Sequence, residues 1–125
     1  MPRVFLADSL VAERSAFRVL LADLHMELVG ECWDWITLTA MAGMSSPDMI
    51  LLSGDLLPNK DRLDIEWLRL ICPKTRIVMI VNKAIGDQPI NNVYGADAII
   101  TKDDFPQRVA GILRITMEEK SLQRI

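Results

Sequence analysis

Short apolar runs recur along the chain, separated by longer stretches of mixed polarity. Within each run the residues are apolar throughout instead of alternating with polar ones, a pattern typical of strands covered on both faces. The five runs are Val4 to Ala7, Leu28 to Val29, Met49 to Leu52, Ile77 to Val81 and Ala98 to Ile100. The pattern therefore predicts five strands of a parallel sheet.

Between these runs, apolar residues recur at the spacing of a helix. The first predicted helix runs through Phe17 to Leu24 with Ser9 as its N-cap, and the second covers 36–44. The third runs through Ile65 to Ile71 and stops before Pro73. A short fourth helix covers 88–94, and the last helix begins within 104–106 and runs through Met117. Five strands alternating with helices predict an α/β fold, a three-layer αβα sandwich around a doubly wound five-stranded parallel sheet. The reason is that right-handed crossovers place helices on both faces of such a sheet.

Composition narrows the classes of function. The 125 residues fit one domain, predicted over 1–120, with 121–125 as a tail or the start of a linker. The net charge is −3 and the basic residues form no stripe, so we expect no nucleic-acid binding by this domain alone. No apolar stretch approaches the ~20 residues that span a bilayer, so no membrane association is expected. Cys32 and Cys72 form no metal-ligand or redox pair and are expected as buried thiols in a reducing cytoplasm.

The residues that follow the predicted strands are the candidates for a functional site, because ligands of such sheets gather outside the carboxyl ends of the strands. They are Asp8 and Ser9 after the first strand, Ser53 to Asp55 after the third, Val81 and Asn82 after the fourth, and Lys102 after the fifth.

Several segments, taken in order, carry a resemblance to a known family. They are Arg3 to Asp8, Glu27 to Glu31, Pro47 to Leu52, Pro73 to Val78 and Gly95 through Lys102-Asp103, with Arg14, Phe17, Leu20 and Leu21 at positions of the first helix. Over nearly its whole length the chain resembles the receiver domain of two-component response regulators, and especially receivers that precede helix-turn-helix DNA-binding domains. The resemblance implies the flavodoxin-like receiver topology, with strand order 2-1-3-4-5, and a place in phosphorelay signal transduction.

The resemblance also implies a phosphoacceptor pocket, and most of its positions are changed here. A working receiver has two acidic residues after the first strand, an aspartate after the third, a hydroxyl residue after the fourth and a lysine after the fifth. At these positions the chain has Asp8 and Ser9, Ser53, Val81 and Lys102. An aromatic switch residue often stands three positions before the lysine, where this chain has Ile99.

These replacements predict a pocket without phosphotransfer chemistry. A serine cannot form an acyl phosphate, and a serine without a base beside it is a poor nucleophile. Ser9 and Ser53 remove two anionic ligands, so the affinity for Mg²⁺ should fall steeply, and at most weak Mg²⁺ binding is expected. We interpret the chain as a degenerate, atypical pseudo-receiver that is not an enzyme and needs no cofactor. Lys102 is expected to pair with Asp8.

Asp55 and the tryptophans are open to more than one interpretation. Asp55 is either a solvated loop carboxylate or, with Asp8, part of a residual cation site or an off-register acceptor. Trp33 and Trp35 are candidate partner contacts, and one of them is equally well explained as core. Trp67 is interpreted either as partly solvent-facing or as packed against a neighbouring helix. Met41 and Met44 are candidates for an adaptable surface.

The leading functional hypothesis is phosphorylation-independent signalling through contact with a protein partner, which is a kinase, a regulator, an output domain or a second copy in a homodimer. The alternative is a receiver domain of a DNA-binding transcriptional regulator with residual or atypical phosphorelay function. An enzyme of flavodoxin-like fold is disfavoured, because Asp8 to Ala12 contains no glycine for a phosphate loop.

Overall fold

A computed structural model describes residues 1–82 and 94–122, with side chains described as far as residue 118. Strands and helices alternate along it as the apolar runs predict. The elements are β1 (Arg3–Ala7), α1 (Val11–Asp23), β2 (Glu27–Cys32), α2 (Trp35–Ser45), β3 (Met49–Ser53), a 3-10 turn (Gly54–Leu56), α3 (Arg62–Ile71), β4 (Arg76–Val81), β5 (Ala98–Thr101) and α4 (Pro106–Leu122). The short helix predicted over 88–94 lies outside the described residues, apart from Tyr94.

The five strands form one parallel sheet in the order β2-β1-β3-β4-β5, which confirms the predicted topology. The chain moves outward in opposite directions from β1 and β3, so these two neighbours flank the switch point of the sheet. Val4 lies opposite Met49, and Ala7 lies opposite Leu52. This register brings the residues that follow β1 next to the end of β3.

Helices cover both faces of the sheet and complete the three layers. Successive side chains of a strand point to opposite faces. Phe5 and Ala7 accordingly join the core beneath α2 and α3, while Val4 and Leu6 join the core beneath α1 and α4. All five residues of β3 are buried. Cover on both faces is the physical reason why the strand segments are apolar throughout.

A close approach between β1 and β2 requires a glycine at position 30. Val4 pairs with Leu28 but Phe5 pairs with Gly30, so Val29 is an extra residue in a bulge. A Cβ atom at position 30 would collide with Cε2 of the Phe5 ring, which is fully buried. Only glycine therefore fits at this position without displacing the ring.

The start of α1 differs from its prediction. The residue before the helix is Leu10, so the prediction of Ser9 as N-cap is wrong. The Asp8 carboxylate explains the difference, because its Oδ1 accepts the Leu10 N–H at 3.0 Å and turns the chain before Val11. Ser9 is left exposed on this turn.

The end of α1 is closed by a left-handed residue. The Met26 N–H donates to the Leu21 carbonyl at 2.9 Å and the His25 N–H donates to the Ala22 carbonyl at 3.1 Å. His25 has a φ of 57°, a conformation that usually favours glycine. The single histidine of the chain therefore occupies the left-handed position that ends α1. It lies at the edge of the sheet opposite the carboxyl ends of the strands.

Both cysteines are buried, as predicted. Burial raises the pKa of the Cys32 thiol to about 11 and also raises the pKa of Cys72. Both thiols therefore stay protonated near neutral pH, which makes them poor nucleophiles. Among the helices of the described residues, none combines the length and the apolar composition of a membrane span.

Candidate functional site

The structure places the candidate residues together at the carboxyl edge of the sheet. Asp8 follows β1, Ser53 is the last residue of β3, and Val81 is the last residue of β4. Lys102 follows β5, and its backbone N–H donates to the Val81 carbonyl at 2.9 Å. The residues of the predicted pocket therefore meet at one edge of the sheet, and their side chains decide what the site can do.

Asp8 lies at the bottom of this pocket and is completely buried. Its Oδ1 accepts the Leu10 N–H, and its backbone carbonyl accepts a 2.7 Å hydrogen bond from Nη1 of Arg14. Its Oδ2 is also buried and has no hydrogen-bond partner among the residues that the structure describes. An acceptor left in this state costs free energy unless a proton sits on it.

Glu13, in the first turn of α1, supplies the group that faces Asp8. Its Oε2 is likewise buried without a partner in the described part of the chain. The two carboxyl groups are within hydrogen-bonding reach, and burial together with this contact raises the pKa of Asp8 to about 7. Two buried acceptors that face each other require one shared proton, so we assign a carboxyl–carboxylate pair here.

Lys102 does not pair with Asp8, and that prediction is wrong. Its Nζ lies 3.1 Å from Oδ2 of Asp55 and 3.2 Å from Oε1 of Glu13. Burial disfavours the charge on Lys102, but the hydrogen bonds to Asp55 and Glu13 outweigh burial and raise its pKa. The ammonium group therefore bridges Asp55 and Glu13 at the rim of the pocket. The charge of Asp8 is neutralised instead by the proton that it shares with Glu13.

Asp55 lies exposed in the turn after β3, which agrees with its interpretation as a solvated loop carboxylate. Its side chain is half exposed but is held by Lys102. Its backbone carbonyl accepts a 2.6 Å hydrogen bond from Nζ of Lys60, which also donates to the Gly54 carbonyl at 3.3 Å. Two ammonium groups thus hold both the side chain and the backbone oxygen of residue 55.

These contacts also bear on the residual cation site predicted at Asp8 and Asp55. The Asp8 carboxyl faces Glu13, and the Asp55 carboxylate faces the Lys102 ammonium. Within the described ranges, no three His, Cys, Asp or Glu residues are grouped as metal ligands. This donor set does not fit a hard divalent cation, which needs several free oxygen ligands.

Ser53 is fully buried at the end of β3, and its Oγ has no hydrogen-bond partner among the described residues. Gly54 follows it closely against the sheet, since a Cβ there would lie 3.2 Å from Cε of Met79. A nucleophilic serine needs an adjacent base, and the structure gives Ser53 no hydrogen bond to one. The Ser53 hydroxyl is therefore not activated as a nucleophile.

Val81 and Ile99 complete the changed positions. Val81 is half-buried and packs against the core beneath α2 and α3. Ile99 lies in β5 opposite Met79 and is also half-buried. Neither side chain can donate a hydrogen bond to a bound oxyanion, so both contribute packing at this edge.

The two tryptophans after β2 have different roles. Trp35 opens α2 and packs partly buried against the core, whereas Trp33 is 61% exposed. The Arg14 guanidinium lies 5.2 Å from the centre of the Trp33 ring, within the range of a cation–π contact. Of the two candidate partner contacts, Trp33 is the more exposed, and Trp35 belongs mainly to the core.

Sequence reasoning missed two residues of the pocket, Glu13 and Lys60. The position of Glu13, five residues after Asp8 and in the first turn of the following helix, was a signal that its side chain faces the strand ends. No comparable signal marks Lys60, because its reach depends on the path of an irregular loop and on its own φ of 55°.

Comparison with known structures identifies the class of fold. The chain is similar to the receiver domain of AraT, a response regulator from Geobacillus stearothermophilus, with a TM-score of 0.80, 16% identity, and coverage of 99% of this chain and 98% of that one. It is similar to a LuxR-family two-component response regulator from Aurantimonas sp. SI85-9A1, with a TM-score of 0.81, 16% identity, and coverage of 95% and 86%. The signal receiver domain of the response regulator NarL from Mycobacterium tuberculosis matches with a TM-score of 0.76, 18% identity, and coverage of 94% and 96%.

The fold is therefore that of a response-regulator receiver, over nearly the whole chain. No protein-family model matches the sequence, and no curated protein is significantly similar to it. At sequence identities of 16% to 18%, the structural similarity shows the fold alone.

Proposed function

We propose that this protein is a pseudo-receiver, a cytoplasmic and non-catalytic signalling module that acts through protein–protein contact without phosphorylation. The observation that carries the proposal is the buried Ser53 at the end of β3, where a phosphorylated receiver needs a carboxylate. A hydroxyl at this place cannot store a labile acyl phosphate.

The ammonium groups of the pocket support the proposal independently. Phosphoryl transfer to a receiver needs a divalent cation on the pocket oxygens to neutralise the incoming charge. Here Lys60 already donates to the backbone carbonyl of Asp55, and Lys102 already holds the carboxylates of Asp55 and Glu13. The pocket has replaced an external cation by groups of its own chain.

A labelling experiment tests this proposal. The protein is incubated with a ³²P-labelled acyl phosphate donor and Mg²⁺, and incorporated label is followed on a gel at neutral pH. We expect no label on the wild-type chain. Label that appears on the wild type and disappears in Asp55→Asn would show an off-register acceptor and overturn the proposal. Beryllofluoride, added in an NMR titration, should leave the amide signals of residues 8, 53 and 102 unshifted.

A second candidate function is a receiver domain of a DNA-binding transcriptional regulator with residual or atypical phosphorelay function. The half-exposed Asp55 carboxylate favours it, because it lies at the rim of the pocket within 3.1 Å of Lys102. Similarity to a LuxR-family response regulator points the same way. The partners would then be a kinase and an output domain, and the loss of label in Asp55→Asn would be its signature.

A further inference from the structure

Helix α2 is apolar on more sides than the core can cover. Its eleven residues, from Trp35 to Ser45, include no charged side chain. One face is buried through Leu38 and Ala42, but on another face Ile36 is 80% exposed and Met44 is 87% exposed. A helix that is apolar all round is typical of an element that is covered on all sides.

Helix α3 carries a second exposed apolar stripe. Leu63, Trp67 and Leu70 recur at the spacing of one helix face and are each more than half exposed. The opposite face of α3 buries Ile65 and Leu68 in the core. Trp67 is 56% exposed, which agrees with its interpretation as a partly solvent-facing residue.

The two stripes lie on neighbouring helices. The helices are in contact at Gly43, where a Cβ would lie 3.1 Å from Cγ2 of Ile71. Ile36 stands seven residues before Gly43, and Trp67 stands four residues before Ile71, so both lie near the side of their helix that faces the other helix. We group the exposed apolar residues of the two helices as the α2–α3 patch, which consists of Ile36, Met44, Leu63, Trp67 and Leu70.

The size of this patch is that of an interface. Five large side chains that each expose on the order of 100 Å² give roughly 500 Å², which matches the largest apolar patches of ordinary monomers, many of them functional. A standard interface buries roughly 800 Å² per partner, so a patch of this size corresponds to the apolar centre of one. The other strongly exposed apolar side chains of α1 and α4, such as Val19 and Ile115, are not part of this surface.

We propose that a second copy of this chain covers the α2–α3 patch in a two-fold symmetric dimer, with Trp67 near the axis. In a two-fold interface the same patch of both copies meets, so residue i contacts j and j contacts i. The apolar α3 stripe of Leu63, Trp67 and Leu70 can meet its own copy in this way, antiparallel, without burying a charge of the stripe. Helix α2 has no charge that would repel its own copy or choose a charged partner.

A second copy of the chain would be the protein partner that the proposed function requires. The dimer interface, however, involves different residues from those of the pocket. A chain that takes up phosphate and still dimerises through α3 would refute the proposed function alone. A chain that takes up none and stays monomeric would refute the dimer alone. The proposed function and the proposed dimer can therefore be refuted independently.

Sedimentation velocity over about 1–200 µM protein measures the association. We expect a reversible monomer–dimer equilibrium in the wild type, and Trp67→Glu should weaken it at least ~100-fold, because it places two like charges near the axis in an apolar contact. Leu70→Lys is a second variant with the same expected direction. Val19→Glu, an equally exposed apolar position on α1, is the matched control and should leave the equilibrium unchanged.

Cross-linking then tests the position of the axis. Trp67→Cys should form a disulfide-linked dimer under mild oxidation, while Val19→Cys should not, and the native Cys32 and Cys72 are buried. Far-UV circular dichroism checks that each variant is folded. A wild-type monomer at all concentrations, including one whose patch captures another protein, overturns the proposal. So does a dimer that Trp67→Glu and Leu70→Lys leave intact.

Discussion

Replacing Asp8 by Asn should change how the stability of this protein depends on pH. Burial, followed by the hydrogen bond with Glu13, raises the pKa of Asp8 from 3.8 to about 7. In the unfolded chain the same carboxyl titrates near its ordinary value of about 3.9. Between these two pKa values the folded protein holds a proton that the unfolded chain has released, so stability falls as pH rises through this window.

The expected effect is large. The difference between 3.8 and about 7 corresponds to about 4 kcal/mol, against a total stability of about 5–15 kcal/mol for a domain. The free energy of unfolding should be highest near pH 4–5, decrease by about 1.4 kcal/mol per pH unit, and level off above about pH 7. An Asn at position 8 carries no charge, and its amide can donate to Oε2 of Glu13. We expect Asp8→Asn to abolish the slope and to be about 2–4 kcal/mol more stable than the wild type at pH 8.

The main opposing titration acts at lower pH. The hydrogen bond from Arg18 is the largest of the effects that lower the pKa of Glu31, to which Arg14 also contributes. A carboxyl with a lowered pKa stabilises the protein above its ordinary pKa and loses this contribution as the solution becomes more acidic. Between pH 5 and 7.5 the pair of Arg18 and Glu31 is fully formed. We therefore assign the change of unfolding free energy in this pH range to Asp8.

Urea unfolding followed by tryptophan fluorescence, at half-unit steps from pH 5 to 8 in buffer with EDTA, measures the slope. The control is Asp55→Asn, which removes a carboxylate at the rim of the same pocket and should change the level of the curve but keep its slope. A wild-type curve that is flat or rises with pH would refute the shared proton. A slope that survives in Asp8→Asn would assign it to another group.

Four further changes test the fold and the ion pairs. Lys102→Met leaves its two carboxylate partners without a cation, so chemical unfolding should show a loss of about 2 kcal/mol, and added Mg²⁺ should stabilise the variant more than the wild type. Gly30→Ala forces a Cβ into the ring of Phe5 and should cost about 1–3 kcal/mol in the same assay. His25→Gly relieves a left-handed residue at a helix end and should stabilise the protein by about 0.5–1 kcal/mol, seen as a higher Tm. Asp34→Ala removes the cap that accepts a backbone N–H at 2.7 Å and should lower the Tm, at a cost of about 1 kcal/mol.

The fold follows from the sequence because its signal repeats along the chain. Each strand of a parallel sheet is covered on both faces, so each is visible as an apolar run, as in the fully buried Met49–Ser53. The helix after each run then has to return across one face, which restricts the topology to a few arrangements. The bulge at Val29 was not visible, because one extra residue in a strand changes no pattern of polarity.

The pocket was predictable only in part, since position along a strand is encoded in the sequence while side-chain pairing is not. The sequence places Ser53 and Lys102 at the strand ends. It does not show that Glu13 comes closer to the Lys102 ammonium than Asp8 does. That choice depends on where Asp8 turns the chain before α1 and on how deeply its carboxyl is buried, and both are features of three-dimensional packing.

Groups of the chain itself balance the charges at the carboxyl edge of the sheet. The three carboxyl groups of Asp8, Glu13 and Asp55 would repel one another if all were charged and unpaired. Lys102 lies between two of them, and a shared proton reduces the charge on the third. A phosphoryl group would add about two negative charges to a pocket whose nearest ammonium groups, on Lys102 and Lys60, are already hydrogen-bonded. Under the proposed function the signal is received at the surface, and the exposed apolar residues of the α2–α3 patch offer such a contact.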